Sequence, residues 1–494
     1  VILLLPVLLP ALAGLLAFAV PSNRLRRTLL FVTGAAHSVL VVLLRTRESA
    51  PVPDAWLALD APGLVILAIT SLLFLAASAY AIGYLRREGV GPHRDFEEGR
   101  LFADAPERIF AGCLLFFLAA MSLVALSQHL GLLWVAIEAT TLASAPLIYF
   151  HRHHRSLEAT WKYLLICSVG IALALLGTFF LAVAASGPGT AQVPLILGNL
   201  LSGATHLNRL WLRAAFIFLL VGYGTKMGLA PLHTWLPDAH SESPSLVSAL
   251  MSGALLNCAF LGILRGVQIS QAAGDGAFAM RILLVLGLLS MTLAAGLILG
   301  QADYKRMLAY SSVEHMGILA LSVGLGGAGR YGAMLHAVNH SLTKACLFLV
   351  SGNVLAAYRT KSAREVNGML RRIPWSGVLW VAGFLAITGS PPFGPFLSEL
   401  LVLKAALDGG HALVAALYLA LLVIIFVGMG AIVLRMAQPG EEIAPAPPAA
   451  PREAASAVLP PLALAAAVLV LGVWVPPGLE ELLKRAGAAL GGAP

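Results

Sequence analysis

The stretch Gly224-Thr-Lys-Met-Gly-Leu-Ala-Pro-Leu-His-Thr-Trp-Leu-Pro-Asp-Ala-His240 decides how this chain is read. It places Lys226 near the end of an apolar run that begins at Leu210 and follows it with Pro231 and Pro237. A lysine in hydrocarbon costs roughly 2.5–3.5 kcal/mol on insertion scales, so one retained there serves an ion path or a buried partner. Pro231 removes a backbone donor and blocks helix continuation, which predicts a helix broken at membrane depth. A broken helix beside a membrane charge points to a transporter rather than a passive anchor.

Composition sets the class. Of 494 residues, 59% are hydrophobic and 11% charged, with a mean hydropathy of +0.87. That composition excludes a water-soluble globule and predicts an all-α polytopic membrane protein. The net charge of +8 sits mostly in short loops between apolar runs, a placement that orients a membrane protein and argues against a nucleic-acid partner. Cys113, Cys167, Cys258 and Cys346 lie singly inside apolar runs, as small core residues do. They imply no disulfide framework and no iron–sulfur or zinc site. No metal or cofactor site is expected on this chain, so redox chemistry is assigned to other chains.

About fourteen runs have the roughly 17–25 residues that a bilayer requires. They lie near 1–20, 28–44, 62–85, 108–127, 130–150, 159–185, 210–230, 244–267, 281–300, 306–326, 330–357, 374–408, 411–436 and 456–476. The first reads as a span rather than a cleavable signal, and 374–408 is interrupted after Pro391. Pro439 to Pro451 reads as a Pro/Ala connector. A weak repeat pairs Lys162…Gly170 with Lys344…Gly352, and Pro231…Asp238 with Pro392…Glu399. The expected organisation is a three-helix segment at 1–107, five-helix repeats at 108–267 and 281–436, inverted with respect to each other, and a connector, last helix and short tail at 437–494. One set of alternate loops carries Arg24, Arg26, Arg27, Arg86, Arg87, Arg152, Arg155, Lys305, Arg306, Arg359, Lys361, Arg364, Arg371 and Arg372. The positive-inside rule makes that side cytoplasmic and places both termini outside, in an inner (plasma) membrane.

The charges inside the apolar runs form a series: Glu138, Lys226, Glu314 with His315, then His336, His340 and Lys344 spaced by four on one helix face, and Glu399 with Lys404. A buried glutamate and lysine each favour the other's charged form while burial disfavours both, so their proton affinities respond to small movements. Histidine, with an ordinary pKa of about 6.5, suits the links between them. The series reads as a proton wire completed by Ser341, Thr343, Asn339 and water. Lys162, near a cytoplasmic end, either joins this wire or snorkels to headgroups. Asp238, His240 and Glu242 are expected in a solvated loop at the cytoplasmic mouth. His151, His153 and His154 are expected in a solvated basic loop rather than a metal cluster.

Glu138-Ala-Thr-Thr-Leu142, the Lys226-to-Pro244 segment, Asp303-Tyr-Lys-Arg-Met-Leu-Ala-Tyr-Ser-Ser312 and Asn339-His-Ser-Leu-Thr-Lys344 resemble the antiporter-like subunits. That family spans respiratory complex I, Mrp sodium/proton antiporters and membrane-bound energy-converting hydrogenases. Glu158 to Gly170 and Ser312 to Gly317 are most similar to the F-type membrane subunits of hydrogenase-4. The resemblance implies two inverted repeats, each with a broken helix, a switching pair of Glu138 and Lys226, a central connection through His336 and His340, and Glu399 on the exit side. This chain departs from complex I relatives at Asn257, where they usually carry a second lysine. The long lateral helix of the terminal complex I subunit is expected to be absent after Val475, and Lys404 is expected to replace or modulate the exit residue. The function so implied is proton translocation in a multi-subunit oxidoreductase, beside sister subunits in the lipid bilayer. Iron–sulfur clusters, a NiFe centre or quinone would belong to partner subunits. The rivals are a cation/proton antiporter subunit without a redox partner, a structural module, and a proton-driven partner of an inorganic-carbon uptake protein.

Overall fold

A computed structural model describes residues 2–88, 92–94, 99, 101–186, 194–439 and 453–491. Its helices are α1 (Leu5–Ala19), α2 (Asn23–Leu44), α3 (Ala61–Arg87), α4 (Glu107–Leu126), α5 (Leu130–Ile148), α6 (His154–Ala185) and α7 (Arg209–Met227). There follow α8 (Ser245–Ala272), α9 (Gly276–Ile298), α10 (Tyr304–Leu325), α11 (Ala328–Tyr358), α12 (Pro374–Ile387), α13 (Gly394–Asp408), α14 (Ala412–Ala437), α15 (Ala455–Val473) and α16 (Pro477–Ala488). Among the described residues, 13 helices are long and apolar enough to cross a membrane. The shorter α12 and α13 together make the interrupted span expected at 374–408. Pro92–Arg94 and Leu101–Ala103 form a short antiparallel pair between α3 and α4. The expected connector lies, from Gly440 to Arg452, outside the described residues.

The centre of the bundle is α8, whose apolar window is 100% buried, against 28% for the first span and 39% for α14. The exposed side chains of the outer helices are apolar (Leu12, Leu15, Val42, Leu413 and Val423 among them), as lipid-facing positions require. In a bilayer apolar side chains gain nothing by leaving lipid, so helices associate through close backbone approach at small residues. The α6–α7 contact shows this. A Cβ on Gly222 would lie 2.5 Å from the Ala174 nitrogen, and one on Gly177 would lie 2.7 Å from that of Leu219. Gly287, Gly317 and Gly324 seat α9 on α10 in the same way.

Both expected breaks are present. Helix α7 ends at Gly228, whose φ of 82° is open to glycine at no steric cost. The break runs through the cis Ala230–Pro231 bond to a short helix at Leu236–Glu242. Its backbone groups are satisfied locally: Trp235 Nε1 donates to Thr225 O at 2.8 Å and Ala230 N to Ser290 Oγ at 3.0 Å. The second break contains Gly389, with φ 65°, and the cis Pro391–Pro392 bond.

One buried ion pair, passed over in the sequence, ties α8 to its surroundings. Asp60 caps α3 by accepting from Gly63 N at 3.2 Å, and its Oδ1 also accepts from Arg265 Nη2 at 2.8 Å. Arg265 Nη1 contacts the other carboxylate oxygen and Gln268 Oε1. Gln268 in turn donates to Ala489 O, just past α16, at 3.2 Å. The tail after Val475 is thus a short helix folded back on the bundle. Removing one partner leaves a buried, unpaired charge, which costs about 3–5 kcal/mol. Asp60→Ala is therefore expected to lower the thermal midpoint of the detergent-purified protein sharply. An unchanged midpoint would show that the pair does not hold the bundle together.

Candidate functional site: a line of buried polar side chains

The first cluster is built where α5, α6 and α7 meet. Close packing of α6 on α7 at Gly170 and Gly222 brings Tyr163 beside Lys226, which is fully buried. Lys226 Nζ donates to Tyr163 Oη at 2.5 Å and to Thr141 Oγ1 at 2.8 Å. The Tyr163 ring lies 4.4 Å from the ammonium, a cation–π contact. Thr141 in turn donates to Glu138 Oε2 at 3.2 Å, and Ser168 to Glu138 Oε1 at 3.2 Å. Lysine and glutamate are therefore joined through one hydroxyl rather than by a direct ion pair. Tyr163 continues to Ser144 at 2.6 Å.

The second cluster lies among α10, α11 and α13. His336, His340 and Lys344 share the buried face of α11, as their spacing predicts. Lys344 Nζ donates to the Leu308 carbonyl at 2.7 Å. His315 Nδ1 and His336 Nε2 are 2.9 Å apart, and His336 Nδ1 is 2.9 Å from Ser398 Oγ. Ser398 spends its own proton on Pro395 O, so His336 Nδ1 is the donor to Ser398. With both rings neutral, His315 Nδ1–H then donates to His336 Nε2. His340 stacks beside them, its centroid 5.0 Å from that of His315. Glu314 and Glu399 are buried, and Glu314 Oε2 and Glu399 Oε1 have no hydrogen-bond partner among the described residues.

Between the clusters stands α8, with a π-helical turn at Met251–Leu255 immediately before Asn257. Such a turn inserts one residue into the helical register and re-aims the side chains after it. Asn257 Nδ2 donates to Ser341 Oγ at 2.7 Å, on the same helix as His340. Ser252 and Ser312 meet at 2.8 Å across α8 and α10. Asn257 is thus part of a polar bridge made of an amide and hydroxyls.

The mouth differs from the solvated loop anticipated there. His240 is fully buried, stacked on Phe348 at 4.9 Å, and neither ring nitrogen has a hydrogen-bond partner among the described residues. Glu242 is buried and pairs with Lys361 at 2.7 Å. Lys305, counted among the loop cations, is buried with Nζ donating to Ser241 O and Ser243 O. The short helix after the break turns this segment inward, where the sequence alone shows only polar residues beside a gap in hydrophobicity. Lys162 is half-exposed, pairing with Glu158 at 2.6 Å and Asp238 at 2.9 Å. Asp238 also holds Arg306. His151 and His153 do not sit in a freely solvated loop: His151 bonds Asp104 at 2.7 Å, and His153 caps α6 by accepting from Ser156 N. Lys404 is exposed and pairs with Asp408 at 2.5 Å. Five residues along a helix amount to a turn of about 140°, which places it away from the Glu399 face.

Sequence reasoning missed Tyr163, Thr141 and Ser168 because hydroxyl residues are common in apolar helices. Their one signal was spacing: Thr141 lies three residues after Glu138, on the same helix face. His37, also buried, is satisfied on both ring nitrogens by Ser71 and Ser122.

Residues 127–425 match the family described as NADH:quinone oxidoreductase/Mrp antiporter, TM. A hydrogenase-4 component F homolog from Methylacidiphilum infernorum is 35% identical over 442 residues, covering 89% of each chain. A chain in the Mrp complex from Dietzia superposes with a TM-score of 0.83 at 22% identity, covering 99% of this chain and 96% of that one. A chain of respiratory complex I from Thermus thermophilus superposes with a TM-score of 0.74 at 25% identity, covering 96% and 97%. Matched by the family model over more than half of its length and 35% identical to that relative over 89% of it, the chain belongs to the antiporter-like membrane subunits of the NADH:quinone oxidoreductase/Mrp antiporter family.

Proposed function

We propose that this subunit conducts protons between its two polar clusters, and that electron transfer in partner subunits of a hydrogenase-4-like or complex I-like assembly drives the movement. The observation that carries the reading is the hydroxyl bridge from Lys226 through Thr141 to Glu138. A direct ion pair would hold both charges in place. A single hydroxyl between them can hand its own proton to Glu138 while it takes one from Lys226, and then turns to restore the starting arrangement. Loss of the Lys226 charge changes the field on the rest of the line, where low dielectric makes charges felt over long distances. Asn257 with Ser341, Ser252 with Ser312, and water supply the centre. Glu314, His315, His336, His340, Lys344 and Glu399 form the second half. Iron–sulfur, NiFe or quinone chemistry, and sister subunits beside this one in the plasma membrane, belong to the same proposal.

The rival is cation/proton exchange in an Mrp-like assembly without a redox partner, supported by the likeness to the Mrp chain along 99% of this one. Sodium and other hard cations prefer clustered oxygen ligands. In the first cluster the Lys226 ammonium already holds the oxygens of Thr141 and Tyr163 and would repel a metal cation there, which favours protons.

Inverted vesicles carrying the whole complex test both readings. Lys226→Ala and Glu138→Gln are each expected to cut donor-driven proton uptake roughly tenfold or more, equivalent to about 1.4 kcal/mol or more on the barrier. Electron transfer and assembly should persist. Uptake driven by an imposed sodium gradient, without donor, would instead favour the antiporter. Tyr163→Phe removes a single hydrogen-bond partner of the ammonium, so a loss of about two- to tenfold is expected. Lys404→Ala, at an exposed pair, should leave uptake within about twofold of wild type. Unchanged uptake in both the Lys226 and Glu138 variants would make these charges structural.

A further inference from the structure

We propose that His315, His336 and Glu399 form a binding site for a divalent transition-metal ion of the zinc class, and that an ion held there blocks the second cluster. One donor atom from each residue lies within 4.8 Å of the other two, and all three residues are buried. They come from three helices, α10, α11 and α13, so no spacing motif announces them. The ring nitrogens that face each other, His315 Nδ1 and His336 Nε2, are 2.9 Å apart. Tetrahedral zinc holds nitrogen and oxygen at about 2.0–2.2 Å, which separates donors by about 3.4 Å. Side-chain shifts of about 1 Å reach that geometry.

The surroundings match what metal-bound imidazoles need. A ligating histidine ordinarily donates its other ring N–H to an oxygen, which fixes its tautomer. His336 does so already, through Nδ1 to Ser398 Oγ. His315 Nε2 faces Glu314 Oε2 at 4.0 Å, so a tautomer change on metal binding gives it a carboxylate partner. Glu399 Oε1 has no hydrogen-bond partner among the described residues. Its other oxygen packs where a Cβ on Gly389 would sit, so the bare glycine makes room for the carboxylate at the break.

Two imidazoles and one carboxylate select borderline ions such as Zn2+ and Co2+ over Ca2+, which takes six to eight oxygens. Glu399 and Glu314 together offset a double positive charge in the low-dielectric interior. Three protein ligands leave a fourth position for water. The break beside Glu399 exposes Pro391 and Pro392 and half-exposes Thr388 to Ser390. Once bound, the ion takes the lone pair of His336 Nε2 and, with the His315 proton moved to Nε2, that of His315 Nδ1, so the hydrogen bond between the rings is lost and the relay is interrupted there. Blocking rests on the proton-conduction reading above, whereas binding does not.

The test uses the protein purified with its native partner subunits, stripped of metal with a chelator and titrated with Co2+. Wild type is expected to show the strong visible absorption of four-coordinate Co2+, displaced by Zn2+. One equivalent of that signal should be lost in His315→Asn and in Glu399→Gln, and kept in Lys404→Ala. Assembled variants that bind Co2+ as wild type does, or a wild type giving only a weak six-coordinate spectrum, would overturn the site. Should the variants fail to assemble, X-ray absorption of zinc-loaded wild type decides. A four-coordinate shell with two imidazoles supports the site; a six-oxygen or sulfur shell removes it. If Zn2+ binds as described and donor-driven proton uptake is undiminished, the site stands and the relay through these histidines falls.

Discussion

The organisation of this subunit depends on keeping one ammonium group, that of Lys226, inside the membrane with no carboxylate touching it. In hydrocarbon such a group must find oxygen or an aromatic face, or give up its proton. Here it finds Thr141, Tyr163 and the ring beneath it. Each of those partners needs α5, α6 and α7 held at fixed separation, and the glycines of the α6–α7 contact hold them there. The break just after Lys226 follows from the same requirement. Trp235 caps the exposed end of α7, and Ser290 answers the free Ala230 amide, so irregular backbone survives at depth because protein surrounds it.

The two halves meet the cost of buried charge by different chemistry. The first surrounds its lysine with hydroxyls. The second anchors Lys344 on a backbone carbonyl and sets His315 against His336 beside it. A neutral imidazole, like a hydroxyl, offers one donor and one acceptor side. Between the two clusters lies the most deeply buried helix, with its π turn and Asn257. A neutral bridge at that point avoids a third buried cation between Lys226 and Lys344.

Around this interior the remaining charges hold the frame. Asp60 and Arg265 tie the central helix to the start of α3. Lys162, Asp238 and Arg306 close the side where the first break emerges, and Lys361 and Glu242 do the same beside it. An ion pair at an exposed edge contributes little stability, and one buried at a helix junction fixes position mainly because breaking it is so unfavourable.

Much of this was legible in the chain itself. Hydropathy runs of bilayer length gave the spans, Pro231 and Pro391 gave the breaks, and charges inside apolar runs identified Glu138, Lys226, His336, His340, Lys344 and Glu399, because a charge in hydrocarbon is too costly to be incidental. The four-residue spacing on α11 placed three of them on one face. What the sequence could not decide was which polar groups meet across helices. Tyr163, Thr141 and Ser168 are ordinary residues in apolar helices until packing brings them to Lys226 and Glu138. His240, Glu242 and Lys305 look like loop residues until the short helix after the break turns them inward. His315, His336 and Glu399 converge only when three helices do. Hydrophobicity and helical period are properties of a continuous segment and can be read along it; hydrogen-bond partnership depends on distance and direction between segments, and only the folded bundle sets those.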